Sequence, residues 1–398
     1  SGGRAAVGAA AASEETSGGP EPAKVVVHKK LYKEFTDCRL QQQVAAHEGA
    51  VWIMKFSPDG QYLATGGQDG KVKVWALIEP PDISGMGEDK ARALSRHKFF
   101  NEEPVRTYTG HTADVLDICW SKTMFLLSSS MDKTVRLWHT SMNECLREFQ
   151  HTDFVTAIDF SPANDKFFIS GSLDGKLRLW NIPDHRVTDW VDIHEMVTAA
   201  CFNHSGHTAV VGSYKGKCRF YHVDGGKLEY VTQVDVKSTR GKNSRGKKIT
   251  GLTYMPGASD MLLVSSNDSR VRMYEGYQLK CKYKGNKNTN SQIRAFFSGQ
   301  GDFVICGSED ASLVVWSTIN TFVPAINPLY TGYRKERHES YESLQLAEHD
   351  DTVTVALFGP ERARRKGLAK AAAESKEAPT RAAAALVRRD LSVLRAAR

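Results

Sequence analysis

The chain has 398 residues, 41% of them hydrophobic, and a formal charge of +7. No apolar run reaches the length of a membrane span and the first residues lack a charged-then-apolar leader, so the expectation is a soluble, intracellular protein. The charge excess lies in residues 361–398, with 11 Lys/Arg against 4 Asp/Glu; the remainder is neutral, which removes a whole-molecule case for nucleic acid.

Residues 1–23 are rich in Ala, Gly, Ser and Glu without apolar periodicity, and are read as a disordered segment. Residues 24–28 (Lys-Val-Val-Val-His) read as a short strand. One pattern then recurs: an apolar strand, small residues, an Asp at a turn, and alternating residues that end in an aromatic. It runs Leu63-Ala-Thr-Gly-Gly-Gln-Asp-Gly-Lys-Val-Lys-Val-Trp75, then Leu127 to Trp138, then Ile169 to Trp180. Weaker copies end at Tyr221, Tyr274 and Trp316. A period of about 40–45 residues with four short strands each is the mark of a β-propeller, and the longer intervals mark insertions.

Each unit also carries a His some twenty-two residues before its turn Asp, and a Thr or Ser four residues before that Asp. Three complete sets result: His47/Thr65/Asp69/Trp75, His111/Ser128/Asp132/Trp138 and His151/Ser170/Asp174/Trp180. Ser, His and Asp together invite a hydrolase reading. A catalytic triad is built once, however, whereas these sets recur in register, so they are read as buried hydrogen-bonded relays that fix each sheet. No catalytic residue and no non-repeating polar cluster for the channel is legible.

Later units depart from the pattern. Lys215 stands where the fourth has its turn Asp, with His194 out of step; the fifth has Asp268 and Tyr274 without a His; the sixth has Asp310 and Trp316 with Cys306 in place of Ser. The seven cysteines form no C-x-x-C pair and read as free, mostly buried thiols, with no metal site and no cofactor motif. Three insertions interrupt the period: 77–106, with Pro80 and Pro81; 320–347, with a charged run from Tyr333; and a basic loop. That loop places Lys237, Arg240, Lys242, Arg245, Lys247 and Lys248 among Gly and Ser, a chemistry suited to phosphate on a lipid head group, a phosphoprotein or RNA, and equally to a solvated loop. Residues 361–398, rich in Ala, Arg and Lys with Leu386, Val387, Leu391 and Leu394 at helical spacing, read as a helical or disordered tail.

The His–Ser/Thr–Asp–Trp sets resemble those of the WD-repeat family, and the resemblance implies an all-β, seven-bladed WD40 β-propeller over residues 24–360. In that family the outermost strand of a blade precedes the next blade's His, so residues 39–46 should complete the last blade. His349 and Val353-Thr-Val-Ala-Leu-Phe358 supply its inner strand, but no further strands follow, and residues 24–28 are a candidate substitute. Propeller closure removes exposed sheet edges.

Longer stretches are more particular: Gly110-His-Thr-Ala-Asp-Val-Leu-Asp117, Phe125 to His139, Asp153-Phe-Val-Thr-Ala-Ile158, Ser170 to Pro183, and Lys237-Ser-Thr-Arg-Gly-Lys242. Together they are similar to the Rab-GTPase-binding, rabphilin-like WD-repeat group. This implies a non-enzymatic scaffold in endosome or Golgi vesicle traffic, cytoplasmic or peripheral on those membranes, with protein partners that include a Rab-type GTPase. The positions before the turn Asp, Gln68, Met131, Leu173, Asn267 and Glu309, are the expected partner face, and the basic loop the expected contact with an anionic surface. A nuclear or ribonucleoprotein scaffold working through the basic loop and tail is the alternative. A ubiquitin-ligase substrate receptor ranks below both, because no repeat ends in Trp-Asp: the residues after the closing aromatics are Ala76, His139, Asn181, His222, Glu275 and Ser317.

Overall fold

The computed structural model describes residues 22–30, 32–36, 38–78, 97–237, 245–257, 260–318, 337–338, 340–345 and 351–360. Among them every regular element is a strand, and the strands form six sheets set side by side as blades. From the inside outwards, blade one comprises Val51–Phe56, Tyr62–Gly67, Val72–Ala76 and Arg106–Tyr108. Blade two comprises Val115–Trp120, Phe125–Ser130, Thr134–His139 and Arg147–Gln150. Blade three follows with Val155–Phe160, Phe167–Ser172, Lys176–Asn181 and Arg186–Asp192, and blade four with Val197–Phe202, Thr208–Ser213, Lys217–Asp224 and Lys227–Asp235. Blade five holds Ile249–Tyr254, Met261–Ser266, Arg270–Glu275 and Gln278–Tyr283, with Arg337–His338 added in parallel.

Burial explains which residues take which place. The second strands are apolar or small nearly throughout and lie between neighbouring blades, as Leu126 and Leu127 do at 0% exposure. The outer strand Arg186–Asp192 alternates exposed and half-buried residues, as a half-covered strand must. The apolar clusters form between blades rather than within them. Ile53, Val72 and Val74 of blade one pack with Ile118, Leu126 and Trp138 of blade two, for example.

A bulge near the start of the inner strand recurs in blades one to five. A bulge leaves one residue out of the ladder and re-aims its side chain. In blades three to five that residue is a threonine, which donates its hydroxyl to the next blade: Thr156 to Val197 O at 2.7 Å, Thr198 to Ile249 O at 2.7 Å, Thr250 to Ile293 O at 2.6 Å. The approach is close enough that a Cβ on Gly171 would overlap the Val197 side chain.

Among the described residues the expected seventh blade is not formed as a sheet, and six blades stand in place of seven. Blade six runs Ala295–Phe297, Phe303–Gly307, Leu313–Ser317, then Tyr341–Gln345, then Lys24–His28. Residues 24–28 thus pair with 341–345 of the sixth sheet, in the register Lys24↔Gln345 to His28↔Tyr341, not with a seventh. The stretch 341–345, read from sequence as part of an insertion, is a blade strand. Residues 39–46 take no strand beyond the single bridge of Arg39 to Pro22, and 353–358 run without sheet pairing. In composition, residues 361–398 are rich in Ala, Arg and Lys and carry none of the alternating apolar runs that fill the other blades. Residues 353–358 are wedged instead between blades six and one. Val353 N donates to Ser308 O at 3.1 Å, and Thr354 Oγ1 to Val51 O at 2.6 Å, repeating the threonine contact of blades three to five. His349 and the 361–398 tail lie outside the described residues, as do residues 1–21 and most of the 77–106 and 320–347 insertions.

A buried carboxylate clasps the amino-terminal segment at this seam. Glu342, 0% exposed, accepts the Glu34 amide at 2.6 Å, the Phe35 amide at 3.0 Å and the Lys30 ammonium at 2.6 Å. Such a carboxylate is tolerable inside a sheet only because its oxygens are paired and hydrogen-bonded.

Candidate docking face

The relays are built within single blades. In blade one His47 Nδ1 lies 2.8 Å from Asp69 Oδ1 and Nε2 2.8 Å from Thr65 Oγ1, to which Trp75 Nε1 donates at 3.1 Å. Blade two repeats this with His111 at 2.7 Å from both Asp132 Oδ2 and Ser128 Oγ, and Trp138 at 2.8 Å from Ser128. Burial lowers the His47 pKa below its ordinary value, with Asp69 opposing the shift.

Blade three differs at its Asp. His151 Nε2 reaches Ser170 Oγ at 2.7 Å and Trp180 Nε1 donates to the same hydroxyl at 2.8 Å, but His151 Nδ1 turns to Phe149 O at 3.1 Å. Asp174 is held by Arg178, at 2.6 and 3.3 Å, and by the Thr152 hydroxyl. The set read from sequence as His151/Ser170/Asp174/Trp180 is therefore split.

The residue across the outer strand decides the outcome. Arg136 of blade two pairs in register with Glu148 and bonds it at 2.5 Å, which leaves Asp132 to His111. Arg178 faces Trp190, which offers no carboxylate, so its planar fork turns back to Asp174. Arg272 of blade five faces Lys282 and likewise binds its turn Asp, Asp268. Without a carboxylate partner, and buried beside Arg178, the His151 imidazole is pushed down to a pKa of about 4, burial being the larger cause.

Blade four solves the same problem with other residues. Glu195 binds Ser213 Oγ at 2.7 Å and Lys217 Nζ at 2.8 Å, while His194 is exposed.

The turns and the residues that precede the inner strands meet at one end of the ring. Gln68 N donates to Ala50 O, Met131 N to Asp114 O, Leu173 N to Phe154 O, Tyr214 N to Met196 O and Asn267 N to Lys248 O, at 2.8–3.0 Å. Blades one to five thereby each present a two-residue tile on this end. Of the five positions expected to meet a partner, Gln68 is exposed and Met131 and Leu173 are half-buried. Asn267 is not available: it is 8% exposed and donates to Asn288 Oδ1 at 2.8 Å and Ser291 O at 2.9 Å. Glu309 caps the 289–291 turn, accepting the amides of Thr289, Asn290 and Ser291. These and the Thr289 hydroxyl bring its carboxyl down to about 2, against the upward push of burial.

The sequence reading passed over Tyr214 and Met196, 52% and 42% exposed, because blade four lacks the turn Asp used as the landmark. The signal was present, since Tyr214 precedes Lys215 at the same offset.

Four of the six basic-loop residues are described. Lys237 lies 3.7 Å from Asp235 and Lys248 is half-buried, its pKa lowered by burial, while Arg245 and Lys247 are exposed. Arg240 and Lys242 fall outside the described residues. The loop returns directly onto the blade-four turn: a Cβ on Gly216 would lie 2.8 Å from Gly246 Cα and the Lys247 backbone.

Beneath this end the channel carries a charged group that sequence reasoning missed. Asp117 of blade two, 1% exposed, bonds Arg294 Nη1 of blade six at 2.8 Å and lies 3.6 Å from Lys55 Nζ of blade one. Asp117 Oδ2 also accepts the Ile158 amide at 3.1 Å. Asp159 accepts the Phe202 amide at 2.8 Å and the Cys119 thiol at 3.1 Å. Burial pushes the Cys119 thiol well up, opposite to what a nucleophile needs. Among the described residues no group of three or more His, Cys, Asp or Glu is placed to hold a metal ion.

The WD domain, G-beta repeat family matches residues 38–76, 102–139, 143–181 and 278–317. The chain is 42% identical over 366 residues to WD repeat-containing protein 44 of Xenopus laevis, covering 82% of this chain and 39% of that protein. It is 33% identical over 294 residues to an uncharacterized WD repeat-containing protein of Schizosaccharomyces pombe, covering 71% of this chain and 50% of that one. Against 2-deoxy-glucose resistant protein 2 of Saccharomyces cerevisiae it is 28% identical over 362 residues, covering 75% and 42%. The chain spans half or less of the length of these relatives. With four matched repeats, a ring of blades and relays of the family's residue types, this chain belongs to the WD-repeat family.

Proposed function

We propose that this chain is a non-enzymatic protein-interaction scaffold acting in endosome and Golgi vesicle traffic with small-GTPase-linked partners. One observation carries the scaffold half. The relay and channel side chains described above are bound to one another, whereas Gln68 of blade one and Met196 and Tyr214 of blade four stand exposed on one end of the ring. Exposed apolar side chains on a rigid frame are what a docking surface offers. Support for the traffic half is the likeness of the basic loop and of the second and third repeats to the Rab-GTPase-binding, rabphilin-like group.

The test is co-purification from cells with the full chain, set against a variant carrying Gln68→Ala, Met131→Ala and Leu173→Ala. Recovery of vesicle-traffic proteins by the wild type, depleted at least several-fold with the variant, is the expected result. A partner set without trafficking proteins overturns the traffic half, and an identical set from wild type and variant overturns the docking face.

A further inference from the structure

The tiles change chemistry around the docking end. Blade three presents Phe154 and Leu173, blade four Met196 and Tyr214, and blade five Lys248 beside buried Asn267. Lys215 follows Tyr214 directly, and the contact of Gly216 with Gly246 and Lys247 brings the basic loop against the blade-four turn. Lys215, Arg245, Lys247 and Lys248 have no carboxylate partner among the described residues. Glu195, the acid on the blade-four side, is already bound by Ser213 and Lys217. An apolar seat therefore adjoins a cationic strip with no countercharge of its own.

We propose that this sector of blades three to five binds an acidic protein segment carrying an apolar side chain. The apolar group sits on Met196 and Tyr214, and the carboxylates or phosphates meet Lys215, Arg245, Lys247 and Lys248. The proposal rests on the scaffold reading and names the partner's chemistry. Charge complementarity fixes the sign of the partner, and the adjoining apolar tiles fix its second feature. Met196 and Tyr214 are 42% and 52% exposed, each with about half its surface covered, so they offer a low apolar seat for one side chain rather than a prong that enters a bilayer.

The test is selection of short displayed peptides on the full chain, followed by fluorescence anisotropy on the synthesised winners. Acid-rich peptides with one or two apolar residues are expected. Their affinity should fall about tenfold with Tyr214→Ala and, separately, with Lys247→Glu, and should weaken with salt. Both substituted side chains are exposed, and an unchanged unfolding midpoint checks that the variants fold. Phosphoserine and glutamate versions of the same peptide separate the two sources of negative charge. Peptides without acidic enrichment, or affinities unmoved by either substitution, overturn the proposal. So does retention on phosphatidylserine vesicles or poly-uridine that Lys247→Glu abolishes and Tyr214→Ala leaves intact, which assigns the strip to membrane or RNA. If cellular partners persist with both variants, the scaffold reading stands and this proposal falls.

Discussion

Arg294 Nη1 lies 2.8 Å from Asp117 Oδ1, although 177 residues separate them along the chain. The pair crosses the channel from blade six to blade two, and Arg294 Nη2 also reaches the carbonyls of Leu116 and Thr156 at 3.4 Å. Nearby, Gln292 donates to Thr198 O and Thr250 O at 3.0 Å. Alternate side chains just ahead of one inner strand thus tie blade six to four other blades.

Replacing Arg294 by Met should therefore destabilise the whole ring. Asp117 is 1% exposed and, among the described residues, would keep Lys55, at 3.6 Å, as its one countercharge. Breaking a buried pair by removing one partner costs about 3–5 kcal/mol, and the residual lysine places this case near the lower end. Urea unfolding of the two proteins measures the difference; a loss below about 1 kcal/mol would mean that the channel pair is a bystander.

Trp190→Glu should redirect the blade-three arginine. A carboxylate across the outer strand would draw Arg178 outward, as Glu148 does for Arg136, and free Asp174 for His151. The His151 pKa, about 4 in the native chain, should then rise, which a histidine-resolved NMR titration reads directly. A double-mutant cycle gives a second check. His47 and Asp69 should couple by about 1 kcal/mol or more, and His151 and Asp174 by nearly nothing.

Acid should weaken the fold through His151. Its folded pKa of about 4 lies below the ordinary 6.5, so between these values the unfolded chain binds more protons and stability rises with pH. The contribution is complete above pH 6.5 and is lost as pH falls towards 4, to a total of about 3 kcal/mol. Unfolding midpoints at pH 7 and pH 5 should differ more for the wild type than for His151→Gln. Equal differences would place the acid sensitivity elsewhere.

The relays of blades one and two were legible because their members lie within one repeat, at an offset that recurs. The splitting of the third was not. Its Asp-x-x-x-Arg spacing also occurs in blade two, and only the outer-strand neighbour, Trp190 or Glu148, separates the two outcomes. The channel pair was hidden for a related reason: Asp117 and Arg294 each look like a stray charge in an apolar strand until the ring brings blades two and six together. The closing strand Tyr341–Gln345 was missed because Tyr-Glu-Ser-Leu-Gln has little apolar content, its Glu342 being buried by partners that come from residues 30–35. The seven-blade expectation failed at that point.

Gly307→Ala should loosen the seam without touching blades two to five. A Cβ there would overlap the Val353 carbonyl oxygen, and backbone cannot yield as a side chain can. Amide exchange should speed up across 353–358, while the inner strand of blade three keeps its protection. Glu342→Gln, which weakens the hold on Lys30 and its neighbours, should do the same for 24–28. Uniform loss of protection in either variant would show that the seam is not a separate unit.

The threonine hydroxyls of blades three, four and five, and that of Thr354, all point the same way round the axis. A tug on one blade is therefore handed to the next like a grip passed along a line of climbers, and the interior stretch travels as one stiff arc. At the junction of residues 353–358 with blade six, the backbone bond from Val353 to Ser308 takes the place of that grip among the described residues. Under a steady pull that junction is thus expected to yield before blades three to five, since the apolar packing of Val353, Ala356 and Phe358 on blade six resists sliding less than a chain of hydroxyl bonds does.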